Sequence, residues 1–199
     1  MTENYNKKYE LVATCMFGLE KLLGTEIDEL GLERVSTLDG RVRFRGTALD
    51  ICRANINLRT AERVCVLLGE PYPASSFDEL FEGCKALPWE DYIPKFGAFP
   101  VSGHSVKSAL TSIPDCQKIL KKAICVRLGE YYGLERLPET GIKYSVEFLI
   151  LKDEAWVMID TSGTALHKRG YRPVANQAPL RETLAAAMVM NARIKEDIY

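Results

Sequence analysis

Between Tyr9 and Leu68 the apolar residues change their spacing in a set order, and that order restricts the fold more than any other feature. Tyr9-Glu-Leu-Val-Ala-Thr14 is β-prone. From Gly18 onward Leu19, Leu22, Leu23, Ile27 and Leu30 recur at helical spacing, ending at Gly31, a residue suited to a helix terminus. Val35–Leu38, Asp39-Gly40 and Arg41–Arg45 read as a hairpin, because Asp-Gly accepts the positive φ of a two-residue turn. Val42 and Phe44 then share one face, and Arg41, Arg43 and Arg45 the other. A second helix is expected over about Thr47–Leu58, with Leu49, Cys52 and Ile56 in register and Arg53 beside them. Ala61–Leu68 then reads as a buried strand. The order βαββαβ is that of a ferredoxin-like fold, an antiparallel sheet with two helices on one side. Such a fold carries no function by itself.

Pro71–Ser76 is rich in turn formers and reads as a linker. After it come a helix over Phe77–Ala86 and a strand over Phe99–Lys107. A long helix follows from Ser112, with Pro114 in its first turn and Asp115 near its positive end, to about Tyr132. Lys143–Leu151 and Ala155–Asp160 are expected as strands joined by a turn. Leu166–Pro173 is basic and irregular. Pro179–Ile194 is helical, with Leu180, Leu184, Ala187 and Met188 on one face and no core of its own. The expected class is α+β: a ferredoxin-like domain over residues 1–71, a second α/β domain over 72–165, and a linker with one helix over 166–199.

An apolar content of 47% with 27% charged residues fits a folded globular chain rather than a disordered one. No apolar run approaches the ~20 residues that span a bilayer, and Met1–Glu10 lacks the apolar stretch of a signal peptide, so a cytoplasmic location is expected. The six cysteines form no CxxC pair and the chain has two histidines, so zinc spacing is lacking and reduced, packed thiols are expected. The net charge of −1 hides an asymmetry. Residues 1–100 carry 12 basic and 16 acidic side chains, whereas residues 101–199 carry 14 and 11. Such segregation permits a basic face on a near-neutral protein.

The helix from Asp115 holds the clearest candidate face. Cys116, Ile119, Leu120, Ala123, Ile124, Leu128 and Tyr131 follow inward spacing, which turns Lys118, Lys121 and Lys122 outward, with Arg127 toward the border. Ammonium groups so placed meet backbone phosphates and position RNA without reading its sequence. Gly103-His104-Ser105-Val106-Lys107-Ser108 adds amides, hydroxyls and charge just before this helix. Arg59, Arg63 and the arginines of the hairpin fit an ion pair as well as an RNA contact. Trp89 beside Pro88 reads as packing. Asp160-Thr-Ser-Gly163 contains the short D-[ST]-G signature of aspartic proteases but has no second copy. No glycine-rich phosphate loop and no nucleophile motif occurs, so the chain itself suggests no catalytic, cofactor-binding or metal-binding residue.

Asn57-Leu-Arg-Thr-Ala-Glu-Arg-Val64, Ser76-Phe-Asp-Glu-Leu80, Pro88-Trp89 and Pro114-Asp-Cys-Gln-Lys118 together resemble the N-terminal half of bacterial THUMP-containing rRNA methyltransferases. The sharpest likeness lies in Ile159-Asp-Thr-Ser-Gly163, Leu166-His-Lys-Arg-Gly-Tyr-Arg172 and Ala178-Pro-Leu-Arg-Glu-Thr-Leu-Ala185. This string is similar to the passage into the methyltransferase domain of large-subunit rRNA guanine-N2 methyltransferases. The resemblance implies a ferredoxin-like domain and a THUMP domain that capture RNA. The RNA-binding residues would be His104, Ser105, Lys107, Ser112, Lys118, Lys121, Lys122, Arg127, Arg169 and Arg172, and Pro179–Ile194 would be the first helix of a methyltransferase domain. It also implies S-adenosylmethionine for the whole protein. The family's glycine-rich donor loop and Asn-Pro-Pro-Tyr-type motif do not occur, and no glycine follows Gly170, so the catalytic domain is expected to be absent and this chain inactive alone. The expected partners are RNA and that missing domain. Other THUMP tRNA-modifying enzymes and a ferredoxin-like regulatory module that binds no RNA are the alternatives.

Overall fold

The computed structural model describes residues 6–171 and 179–192. It divides the chain into one unit of residues 1–66 with 161–199 and another of residues 67–160.

In the first unit the elements run β1 (Tyr9–Thr14), α1 (Glu20–Glu29), β2 (Glu33–Leu38), β3 (Arg41–Gly46), α2 (Ala48–Asn57) and β4 (Arg63–Leu67). The strands lie in the order β2-β3-β1-β4, and neighbours are antiparallel, as the βαββαβ pattern requires. Gly40 takes φ +70° in the hairpin turn. Leu11, Ala13, Val42, Phe44 and Val64 are buried together with Leu23 and Ile27 of α1. The arginines of β3 do not form an open basic face. Arg43 pairs with Glu10 at 2.9 Å, Arg45 bonds both Glu10 and Glu33, and Arg41 is itself buried.

Helix α2 is fixed at its start by a capping box, Thr47 and Asp50 bonding each other's backbone N–H groups. The stripe expected to pack inward is turned to solvent: Leu49 is 69% and Ile56 70% exposed, and Cys52 is exposed as well. The inward side consists of Ile51, Ala54, Asn55 and Leu58, an equally helical spacing that the polar Asn55 interrupts in the sequence.

The chain returns to this unit at Thr161. Thr161 N–H donates to the Val64 carbonyl at 3.0 Å, and the Val64 N–H donates to Ser162 Oγ at 2.8 Å. Ser162 Oγ in turn donates to Asn55 Oδ1 at 2.7 Å. The Asp160-Thr-Ser-Gly163 string is therefore structural: its hydroxyls satisfy the backbone of β4. Leu166–Lys168 form a 3-10 turn, and α5 (Glu182–Asn191) follows. The helix expected to lack a core is anchored through Thr183, whose Oγ1 donates to Glu62 at 2.6 Å, and through buried Ala187. Its expected apolar face is divided, with Leu180 44% and Met188 59% exposed. Ile194 lies outside the described residues.

The second unit contains β5 (Tyr72–Pro73), α3 (Phe77–Lys85), β6 (Val101–Val106), α4 (Ile113–Tyr132), β7 (Val146–Leu151) and β8 (Glu154–Asp160). Strand β6 runs parallel to β7, β7 antiparallel to β8, and β5 antiparallel to β8. The segment read as a linker thus contributes a short strand, because Tyr72 packs on Gly83 of α3 and Ala74 N–H bonds the Asp153 carbonyl at 2.7 Å. A Cβ at Gly103 would lie 2.1 Å from the Phe148 carbonyl oxygen, so only glycine lets β6 come this close to β7. The core joins Val146, Phe148 and Ile150 to Cys116, Leu120, Ala123, Ile124 and Leu128 of α4, and to Leu80 and Cys84 of α3. Trp89 is fully buried and donates from Nε1 to the Cys84 carbonyl at 2.8 Å, which makes it a packing residue. Of the α4 residues expected inside, Tyr131 is 61% exposed. None of the six cysteines forms a disulfide, and burial pushes the Cys15 thiol up to about 12. Among the described residues no helix is long and apolar enough to cross a membrane.

Candidate nucleic-acid interface

Ser112 caps α4, and its Oγ donates to Asp115 at 2.6 Å. That bond and the nearby Lys118 hold the Asp115 carboxyl below its ordinary value. Lys118 is open to solvent, 3.4 Å from Asp115, and Lys122 is exposed one turn further on. These two ammonium groups share a face. Lys121 does not join them. Its Nζ is 2.6 Å from Glu139 and 3.0 Å from the Phe99 carbonyl, and it sits 3.5 Å above the Phe99 ring. A lysine held by a carboxylate, a carbonyl and an aromatic face fastens the loop after α4 rather than offering a charge to a ligand.

Arg127 is also turned away. Nine residues beyond Lys118 is two and a half helical turns, so it faces the opposite side, where its guanidinium bonds Glu90. That contact holds the Glu90 carboxyl below its ordinary value of 4.5. Because the folded form binds its proton more weakly, the pair stabilises the fold above pH 4.5, and this is lost as pH falls through the lowered value. With Arg127 half-exposed, solvent screening keeps this contribution small. We expect the stability difference between wild type and Glu90→Gln, followed by urea denaturation, to shrink steadily below pH 4.5. A difference that persists unchanged in acid would refute this assignment.

The segment before α4 is similarly divided. Alternation along β6 leaves His104 exposed, whereas Ser105 faces the other side and donates to the Leu110 carbonyl. The two do not address one ligand. Lys107 stands exposed just beyond β6 at φ +51°. The loop behind it is held to the β7–β8 turn: Ala109 N–H donates to Asp153 at 2.7 Å, and Asp153 N–H to Ser108 Oγ at 3.0 Å. This brings in Lys152, exposed at φ +52°, whose N–H donates to the Val106 carbonyl at 3.2 Å. Sequence reasoning saw a turn there and did not count its charge.

Arg169 belongs to the other unit. Its guanidinium donates to the Ile56 carbonyl at 2.6 Å and to that of Leu58, satisfying the open carbonyls at the end of α2. Arg172 lies outside the described residues. Of the ten residues expected to contact RNA, the structure leaves His104, Lys107, Lys118 and Lys122 exposed, Lys118 beside Asp115 and Lys122 near the Phe81 ring. It gives Ser105, Ser112, Lys121, Arg127 and Arg169 internal partners. Among the described residues no cluster of His, Cys, Asp or Glu suits a metal ion.

Three family models match consecutive stretches of this chain. The RlmL ferredoxin-like domain matches residues 10–65, the THUMP domain residues 74–160, and an RMKL-like methyltransferase domain residues 169–198. The chain belongs to the THUMP-containing RNA methyltransferases. It is 50% identical over 185 residues to the Bacillus subtilis protein named "Putative RNA methyltransferase YpsC", covering 92% of this chain and 48% of that protein. It is 33% identical over 174 residues to the ribosomal RNA large subunit methyltransferase K/L of Psychromonas ingrahamii, covering 86% of this chain and 23% of the relative. The crystal structure of SMU.472, described as "a putative methyltransferase complexed with SAH", superposes with a TM-score of 0.87 at 42% identity, covering 96% of this chain and 51% of that one. The chain thus spans about half the length or less of these THUMP methyltransferase relatives. The match over 169–198 lies where Pro179–Ile194 was expected to open a methyltransferase domain, so the chain includes residues that match that domain. In this THUMP domain exposed lysines stand in the β6–α4 loop, on the outer face of early α4 and at the β7–β8 turn, and also at Lys95 and Lys143.

Proposed function

We propose that this chain is the RNA-capturing part of an S-adenosylmethionine-dependent RNA methyltransferase that modifies the exocyclic N2 of a guanine in large-subunit ribosomal RNA, in the bacterial cytoplasm. The observation that carries the reading is the set of exposed ammonium groups on the THUMP domain, Lys107, Lys118 and Lys122, around the start of α4, where Lys121 and Arg127 are instead held by carboxylates. Such groups bind phosphates and release condensed counterions. They supply affinity and register, leaving the choice of base to the rest of the enzyme. The relatives' names support the ribosomal substrate and the methyl donor. No glycine occurs between Tyr171 and Tyr199, so no donor-binding residue is proposed in that stretch. No chemical step is assigned to a described residue.

The test is binding of a ribosomal RNA hairpin by fluorescence anisotropy across a salt series, with wild type beside Lys107→Glu/Lys118→Glu/Lys122→Glu. The triple variant is expected to bind at least tenfold more weakly, with a log–log salt slope shallower by roughly 2–3. Lys121→Glu is left out because it would break the Glu139 and Phe99 contacts and confuse folding with binding. Equal affinity and equal slope in the two proteins would remove this face from the reading.

A further inference from the structure

One end of the THUMP unit combines charge with an exposed ring and belongs to none of the residues discussed above. It lies where β6 and β7 begin, at the opposite end of these parallel strands from Lys107 and Lys152. Here Pro94-Lys95-Phe96-Gly97 and Gly141-Ile142-Lys143 run side by side. Gly141 N–H donates to the Phe96 carbonyl at 2.6 Å, Ala98 N–H to the Ile142 carbonyl at 2.9 Å, and Tyr144 N–H to the Ala98 carbonyl at 2.7 Å. Ala98 and Lys143 form a parallel bridge. The backbone is therefore fixed, yet Phe96 is 57% and Ile142 74% exposed.

Both loops depend on glycine for this closeness. A Cβ on Gly141 would stand 2.7 Å from the Phe96 carbonyl oxygen, and one on Gly97 would stand 2.9 Å from Ile93. At the end of α4 the Tyr132 hydroxyl donates to the Ile93 carbonyl at 2.9 Å, which ties the helix to the first of these loops. Lys95 and Lys143 are exposed and flank the two apolar side chains in sequence. Of the two acidic residues four positions from Lys143, Glu139 is held by Lys121 and Glu147 accepts from the Ser102 hydroxyl at 3.2 Å.

A solvated apolar pair on a rigid backbone, bracketed by cations, has the composition of a stacking platform for nucleic acid: rings take base faces, and ammonium groups take the phosphates between them. A duplex hides its base faces, so the fit is to unpaired nucleotides. We propose that Phe96 and Ile142, with Lys95 and Lys143, bind an unpaired stretch of RNA, separately from the lysines around α4. The proposal rests on the RNA-binding reading above. It adds a second contact that distinguishes single-stranded from paired substrate.

The probes are a short oligouridylate, the same oligomer annealed to its complement, and the ribosomal hairpin, each titrated against the whole 199-residue chain. Phe96→Ala is expected to weaken oligouridylate binding about tenfold while leaving its salt slope unchanged, because a ring is lost and no charge. Lys95→Glu/Lys143→Glu should weaken it and also flatten the slope. The annealed duplex should bind Phe96→Ala as it binds wild type. Phe96 is on the surface, so the variant is expected to fold, and circular dichroism checks this. If Phe96→Ala binds oligouridylate like wild type while the Lys107/Lys118/Lys122 variant loses the hairpin, the proposal fails and the RNA reading stands. If wild type binds none of the three probes, both fail. If Phe96→Ala changes only the sedimentation of the chain alone, the ledge is a protein contact and the proposal is overturned.

Discussion

Trp89→Ala is expected to lower the stability of the 67–160 unit by about 3–5 kcal/mol, the range for emptying a fully buried indole site. Two losses combine there. The ring lies entirely within the core below α3, and its Nε1–H is the partner of the Cys84 carbonyl at 2.8 Å. Trp89→Phe keeps most of the volume and removes one of two hydrogen bonds to that carbonyl, the Leu87 N–H remaining at 3.2 Å, so a smaller loss of about 0.5–1.5 kcal/mol is expected. Urea denaturation followed by circular dichroism is the suitable measurement, because with two tryptophans in the chain fluorescence would change for reasons other than folding. A Trp89→Ala shift below about 1 kcal/mol would mean that the pocket collapses and that this residue is not central to the core.

Glu26→Ala should cost a comparable amount, about 3–5 kcal/mol, for a different reason. The Glu26 side chain is 3% exposed and its carboxylate accepts from the Arg59 N–H at 3.1 Å, the Thr60 N–H at 3.0 Å, the Thr60 hydroxyl at 2.5 Å and Arg59 Nε at 2.8 Å. Thr60 is fully buried, so its two donors have no water to turn to once the carboxylate is gone. The Arg59 guanidinium is 59% exposed and contributes little as an ion pair. Arg59→Ala is therefore expected to cost less than about 1 kcal/mol. If the two substitutions prove equally damaging in denaturant, charge pairing rather than satisfaction of buried donors holds α1 to the segment before β4.

Much of this was legible in the sequence where the local chemistry had one solution. Asp39-Gly40 permits a tight turn, and Ser112 with Pro114 permits a helix start, so both elements lie where the residues put them. Helix α2 shows where periodicity fails. Leu49, Cys52 and Ile56 share a face, but so do Ile51, Ala54, Asn55 and Leu58, and spacing alone does not say which face the protein covers. The choice rests on Asn55, which bonds Thr161 and Ser162 more than a hundred residues away, and no local window contains that information. Tyr72 was hidden for a similar reason. Two prolines made its segment look like a linker, and its packing on Gly83 decided otherwise.

The candidate site was read less well than the fold because charge is visible in a sequence whereas pairing is not. Lys121 looks like Lys118 until Glu139 is seen beside it, and Arg127 until Glu90 is. Phe96 and Ile142 escaped notice from the other direction: apolar residues are assumed to be inside, and only the structure shows that these two remain in water.

The return of the chain to its first unit at Thr161 also bears on the order in which the molecule is assembled. A ribosome makes the chain from Met1 onward, and residues 67–160 are complete before Thr161, Ser162 or Thr183 exist. Until then the Val64 backbone, Asn55 and Glu62 lack the partners that hold them in the finished protein. Synthesis therefore completes residues 67–160 before the first unit has its last partners.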